Sequence, residues 1–280
     1  MKKQTTHQNP EPNPSFPQIL FVGSDKGGVG KSFVTALIAD LFEINSRTIR
    51  IVQIDEQDRL PLLFGDLVTT VAPARLDDLR RDPSAIVTAF DPLYAAIEQA
   101  LQDRTPLLVD IGGPQQVLVE EYCALVDLDA DLLEAGAKTT WLVPATAEPE
   151  AMRGAARTAK AIGRVLPSAL RKIILNGRDG PFRFYPGSPA DAVWQEQLDP
   201  LCKSLGAPKL PAIAPGSWLP FEAAGKRFMD VVASDIAAIQ TWTGRSRPAA
   251  KVMRGDVAAF LGRANEVFAD VIAAGGSVDE

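Results

Sequence analysis

One histidine, His7, and two cysteines, Cys123 and Cys202, are all that this 280-residue chain offers to a soft or borderline metal ion. With no His or Cys cluster, a structural zinc site is not expected. The two cysteines are far apart in sequence and lie in helix-like contexts, which reads as free thiols rather than a disulfide framework. The same scarcity argues against an iron–sulfur cluster bridging two subunits. Only three tyrosines occur and none follows Tyr185, so a Tyr-rich regulatory tail is not expected. No run approaches the ~20 apolar residues of a membrane-spanning helix. The segment Met1–Pro17 is polar, carries four prolines and lacks an apolar core. It reads as a disordered leader and not as a signal peptide, which removes His7 from any catalytic role. The last predicted helix, 256–274, holds a single Arg, too few for a basic amphipathic membrane anchor. A cytoplasmic protein without membrane attachment is expected, with residues 18–275 as one domain and 276–280 as a flexible tail.

Hydrophobic residues make up 46% and charged residues 23% of the chain, values ordinary for a globular fold. The net charge of −6 is unevenly spread. Residues 1–150 hold 12 Lys/Arg against 23 Asp/Glu, whereas 151–280 hold 17 against 12. A positive half can mark a face for an acidic partner or nucleic acid, although scattered solvated charge produces the same count.

The most informative stretch is Gly23-Ser24-Asp25-Lys26-Gly27-Gly28-Val29-Gly30-Lys31-Ser32. It follows a short apolar run, Ile19–Val22, that reads as a buried strand, and precedes an amphipathic helical pattern, Phe33–Phe42. Strand, glycine loop, Lys-Ser and helix, in that order, form a nucleotide-phosphate site. Glycines let successive backbone N–H groups turn inward, and the helix N-terminus adds positive potential. The cradle comprises Gly27, Gly28, Val29, Gly30, Lys31, Ser32 and Phe33. Lys31 reaches the β/γ phosphates and the Ser32 hydroxyl binds Mg²⁺. A dinucleotide fingerprint fails, because Phe33 stands where the third glycine is required.

Further along, Thr48–Asp55, Pro106–Ile111, Thr139–Ala145 and Lys172–Gly177 read as strands, and Leu210–Ala214 as a short one. Helices are expected at 76–81, 92–102, 115–135, 148–165 and 191–205, with the remainder mostly helical, and Pro61–Gly65 reads as a turn. Apolar strands alternating with helices imply a single doubly wound α/β domain, its mainly parallel sheet flanked by helices on both faces. Ligands of such sheets lie beyond the C-terminal strand ends. The glycine loop, Asp55, Asp110 and Asn176 all fall at such ends and should share one crevice.

Lys26-Gly27-Gly28-Val29-Gly30-Lys31-Ser32 resembles the deviant Walker A motif of the ParA/MinD family of P-loop ATPases, which carries an extra lysine near its start. Asp55 and Asp110 are similar to the family's strand-end acids. The resemblance covers residues 18–275, strongly in the first motif and weakly after Asn176. It implies an ATP-dependent homodimer in which Lys26 reaches the phosphates of the other subunit, stabilising charge that builds during phosphoryl transfer. It also implies Mg²⁺ at Ser32 and Asp110, the latter through water, and an adenine contact by Asn176. Absence of a guanine signature favours ATP over GTP. Pro211–Pro215 is expected to close over the base.

The family usually has Asp-x-Asp where this chain reads Asp55-Glu56-Gln57. An amide orients a water but takes no proton from it. Lys26, Lys31, Asp55 and Gln57 thus form the expected catalytic set, with slow or partner-dependent hydrolysis. Lys31-Ser32-Phe33 is similar to members associated with conjugation. Plasmid or transfer-complex positioning is the implied role, with an unidentified partner protein. Non-specific DNA contact is implied through Lys226, Arg227, Arg245, Arg247, Lys251 and Arg254. The alternative is a metabolic enzyme of the same fold that uses ATP to activate a carboxylate, resembling dethiobiotin or cobyrinate synthetases.

Overall fold

The computed structural model describes residues 18–55, 57–72, 82 and 84–273. The expected leader, the 76–81 helix, Glu56 and the 276–280 tail lie outside these residues. Among those described, six strands form one parallel sheet. They are β1 (Gln18–Val22), β2 (Arg50–Ile54), β3 (Val68–Thr70), β4 (Leu107–Ile111), β5 (Lys138–Ala145) and β6 (Leu170–Leu175). Their order is β3-β2-β4-β1-β5-β6, with every neighbouring pair parallel. β1 is therefore central, flanked by β4 and β5.

Strand side chains alternate between faces, and the core divides accordingly. Ile19, Phe21, Val109 and Trp141 join one apolar cluster, whereas Leu20, Val22, Leu108 and Leu142 join the other. On the first face lie α3 (Ala85–Asp103), α4 (Gln116–Leu125), α5 (Leu128–Glu134) and α6 (Pro149–Val165). The second face is covered by α1 (Lys31–Ile44) and α2 (Arg59–Phe64), together with the C-terminal helices. Burial on both sides explains why these strands are continuous apolar runs rather than alternating ones.

The chain continues through α7 (Pro189–Val193), a π-helical turn at Trp194–Leu198 and α8 (Asp199–Leu205). It then forms α9 (Pro215–Ala223), α10 (Phe228–Ala233), α11 (Ile236–Thr243), α12 (Arg247–Val267) and α13 (Ala269–Ile272).

Several expected elements differ. Leu210–Ala214 is not a strand: one bridge, Leu175 with Lys209, starts a ladder that stops there. Leu210 N still donates to Leu175 O, but β6 ends at Leu175 and offers no partner beyond it, and Pro208 has no N–H to extend the ladder the other way. Residues 61–65 are not merely a turn, since Pro61 sits in the first turn of α2, where its missing N–H costs nothing. Leu60 and Phe64, one helical turn apart, are both buried. The expected 115–135 helix is two helices, divided at Asp127, which adopts φ 50°. Asp tolerates that conformation better than most residues, and the break turns Leu128 and Leu132 into the core. The 92–102 helix begins earlier, at Ala85, with Pro92 inside it.

Candidate functional site

The loop 23–30 leaves the C-terminal end of central strand β1 and ends at Gly30, the residue preceding α1. Gly30 has φ 92°, a conformation that L side chains avoid. A Cβ there would lie 2.5 Å from Asn176 Nδ2, so both backbone and space demand glycine. α1 begins with no side-chain cap and no acidic residue in its first turn. Its first N–H groups and dipole therefore present an anion site. The residues fit a polyphosphate.

Lys31 is buried, and its ammonium donates to Lys26 O at 2.8 Å, folding back across the loop. Burial lowers its pKa, while Asp110, Asp55 and Asp25 oppose that shift. Lys26 is exposed at the loop's outer side. The preceding residue is clamped by α6: Asp25 N donates to Thr158 Oγ1 at 3.2 Å, and Arg157 Nε donates to Asp25 Oδ2 at 2.9 Å. Gly154 makes this approach possible, since a Cβ there would stand 2.1 Å from Asp25 Oδ1.

Asp110 lies on β4, beside β1, and is 1% exposed. It accepts hydrogen bonds from Ser32 Oγ and Thr35 Oγ1, each at 2.8 Å. Burial raises its pKa to about 6, against the hydroxyl bonds and Lys31, which lower it. A carboxylate held ionised at such cost, beside a hydroxyl and with only oxygen donors, suits a hard divalent cation such as Mg²⁺. Ser32 and Asp110 are the residues that would hold it.

Asp55 follows β2, the neighbour of β4, and a Cβ at Gly112 would come within 2.9 Å of its Cγ. The 55 and 110 carboxylates thus stand on adjacent strand ends, both within the field of Lys31. Gln57 is exposed, and its backbone carbonyl accepts from Gln53 Nε2. Gln53, buried on β2, also accepts from Leu60 N at 3.2 Å and so ties down the segment leading into α2.

Asn176 follows β6 and is 5% exposed. Its Nδ2 donates to Val29 O at 3.0 Å and its Oδ1 accepts from Arg178 N at 3.1 Å. The amide thus supports the loop and its own turn in this structure. Phe33 turns its ring away from the loop, edge-on to Trp218 and Phe228, which leaves its backbone N–H at the helix start. These rings border a cavity of about 410 Å³ that also includes Leu62, Arg59 and Glu222.

The glycine loop, Asp55, Asp110 and Asn176 are therefore gathered at one sheet edge. Thr35, Gln53, Arg157 and Arg178 were not singled out by sequence. Thr35 had a signal: it lies three residues after Ser32, on the same helix face. The basic candidates fare unequally. Arg227 approaches Asp40 Oδ1 at 2.9 Å and bonds Glu43, Lys226 covers the Trp242 ring at 4.6 Å, and Arg254 Nη2 donates to Val232 O at 3.0 Å. Arg245, Arg247 and Lys251 are exposed. No helix among the described residues is long and apolar enough to cross a membrane.

No family model and no curated protein matches the chain. Solved structures similar to it include MinD cell division protein of Aquifex aeolicus, 16% identical, with TM-score 0.45 over 88% of this chain and 97% of that one. The cell division ATPase MinD of Pyrococcus furiosus is 14% identical, with TM-score 0.44 over 89% and 100%. A plasmid partition protein from Borrelia burgdorferi is 13% identical, with TM-score 0.39 over 69% and 89%.

Proposed function

We propose that this chain is an ATPase switch of the ParA/MinD kind, which binds ATP with Mg²⁺, pairs with a second copy through Lys26 and hydrolyses slowly. The observation that carries the reading is the joint hold of Ser32 and Thr35 on buried Asp110, beside Lys31 at an uncapped helix start. Loop N–H groups and Lys31 bind the phosphates, while Ser32 and Asp110 hold the cation. When bound there, a divalent cation would neutralise phosphate charge that builds during phosphoryl transfer. Asp55 stands ready to position a water, and Gln57, an amide, helps orient it without taking its proton. That division of labour favours a long-lived bound state, discharged by a partner protein.

Lys26, exposed beside a loop shoulder fixed by Arg157 and Thr158, is the group offered to the other copy. Positioning of plasmid DNA or a transfer complex follows as the role, with Arg245, Arg247 and Lys251 as the basic side chains free to meet phosphates. Sizing chromatography with ATP and Mg²⁺, with ADP and with no nucleotide tests the reading. ATP-dependent dimerisation that Lys26→Ala abolishes, with ATP still bound, is expected. An unchanged monomer that hydrolyses ATP only when a carboxylate substrate is added would instead mark a metabolic enzyme.

A further inference from the structure

Two consecutive carbonyls of the phosphate loop are capped from outside the loop. Val29 O accepts from Asn176 Nδ2 at 3.0 Å, and Gly28 O accepts from Arg178 Nη1 at 3.3 Å. Both donors belong to one short turn after β6, where Asn176 Oδ1 in turn accepts from Arg178 N. Arg178 is exposed and has Asp179 beside it at 3.3 Å.

A trans peptide points its C=O and the following N–H in opposite directions, and the described chain contains no cis peptide. Holding Gly28 O toward the 176–178 turn therefore aims Val29 N–H away from it. Holding Val29 O does the same for Gly30 N–H. These two N–H groups belong to the cradle of the proposed site, and Gly28 (φ 79°) and Gly30 (φ 92°), on either side of buried Val29, both take the positive φ that concave N–H runs draw on.

We propose that Arg178, acting with Asn176, is a positioning residue that pre-sets the phosphate-binding N–H groups by capping the loop's outward carbonyls. The inference rests on the nucleotide-switch reading and assigns that site a residue outside the Walker motifs. It also gives Asn176 a task that precedes any contact with the base. Pre-orienting dipoles lowers the cost of ordering them when an anion binds.

The test uses the full chain, Arg178→Ala and Asn176→Ala, with a conservative Arg178→Lys. Calorimetry measures binding of ATP and of inorganic tripolyphosphate, both with Mg²⁺. Backbone amide resonances of Val29 and Gly30 are compared in ligand-free protein. Loss of a capping bond of modest strength should weaken ATP and tripolyphosphate by the same factor, about five-fold for Arg178→Ala. Both alanine variants should shift the Val29 and Gly30 amides before any ligand is added, and Arg178→Lys should recover part of the loss.

Weaker ATP binding with unchanged tripolyphosphate binding would place Arg178 on the base or ribose and overturn the proposal. Unmoved amide resonances would overturn it too, by making Arg178 a direct phosphate contact. A wild-type chain that binds neither ligand would remove the switch reading, while the amide shifts would still decide the clamp.

Discussion

Asp110→Asn should make the ligand-free protein more stable while disabling it. In the wild type this carboxyl is 1% exposed, and burial raises its pKa from 3.8 to about 6 despite two hydroxyl donors and a nearby ammonium. A rise of about 2 units corresponds to ~3 kcal/mol of destabilisation of the charged form. The sign follows from proton linkage. Between pH 3.8 and 6 the folded chain binds more protons than the unfolded one, so this group's stabilisation is complete below pH 3.8. It is lost as pH rises through 6. Asn keeps the shape, and the Ser32 and Thr35 hydroxyls can rotate to meet it.

At pH 7.5 the variant should gain about 2–3 kcal/mol, a rise of roughly 6 °C in Tm for a chain of this size. At pH 4.5 the two proteins should melt within about 1 kcal/mol of each other, since the wild-type carboxyl is then protonated. ATP with Mg²⁺ should raise the wild-type Tm by mass action but leave the variant with little more than ATP alone provides. Calorimetric or dye-monitored melts at the two pH values provide the comparison. A variant that melts lower than wild type at pH 7.5, or a gap that persists at pH 4.5, would refute the claim that ionised Asp110 is held at a cost.

Three further outcomes are expected. Gly30→Ala combines a φ of 92° with a Cβ placed 2.5 Å from Asn176 Nδ2; it should cost about 1–3 kcal/mol in urea unfolding and weaken ATP binding at least tenfold. Arg227→Ala leaves Asp40, fully buried and with a pKa already raised to about 7 by burial, without its counter-ion. The pH-dependent part of the loss should be about 1 kcal/mol at pH 7.5, because a carboxyl with a pKa of about 7 escapes the missing counter-ion by taking up a proton, and it should vanish at pH 5, where Asp40 is already protonated. Equal losses at the two pH values would show that the guanidinium acts only through packing. Gln57→Asp should raise the single-turnover hydrolysis rate by supplying a proton acceptor near the Asp55 strand end; an unchanged rate would remove position 57 from the chemistry.

The sheet and its ligand edge were legible because buried parallel strands are continuous apolar runs, and Ile19–Val22, 107–111 and 139–145 have that form. The errors fell where turn chemistry or missing donors competed with hydrophobic pattern. The 210–214 run is apolar enough for a strand, but β6 ends at Leu175 and leaves it only the bridge at Lys209. The 115–135 run has helical periodicity throughout, yet Asp127 turns the chain so that a second helix buries its own leucines. β3 is three residues long, with Val68 half-buried and Thr69 and Thr70 exposed, too short to show a pattern.

By itself the sequence determined that strand β1 feeds a glycine loop and a helix start, because glycine spacing, Lys-Ser and the apolar runs are local features. It determined equally that Asp55, Asp110 and Asn176 end strands, so that a parallel sheet must bring them to one edge. Only the tertiary structure decided what each side chain touches there. Asp110 meets Thr35 as well as Ser32, Asn176 grips the loop's backbone, Arg178 caps a second carbonyl, and Arg227 is engaged by Asp40 and Glu43. These contacts join residues up to 187 positions apart. They depend on crossover packing and on which carbonyls are left outward, quantities that no local spacing encodes.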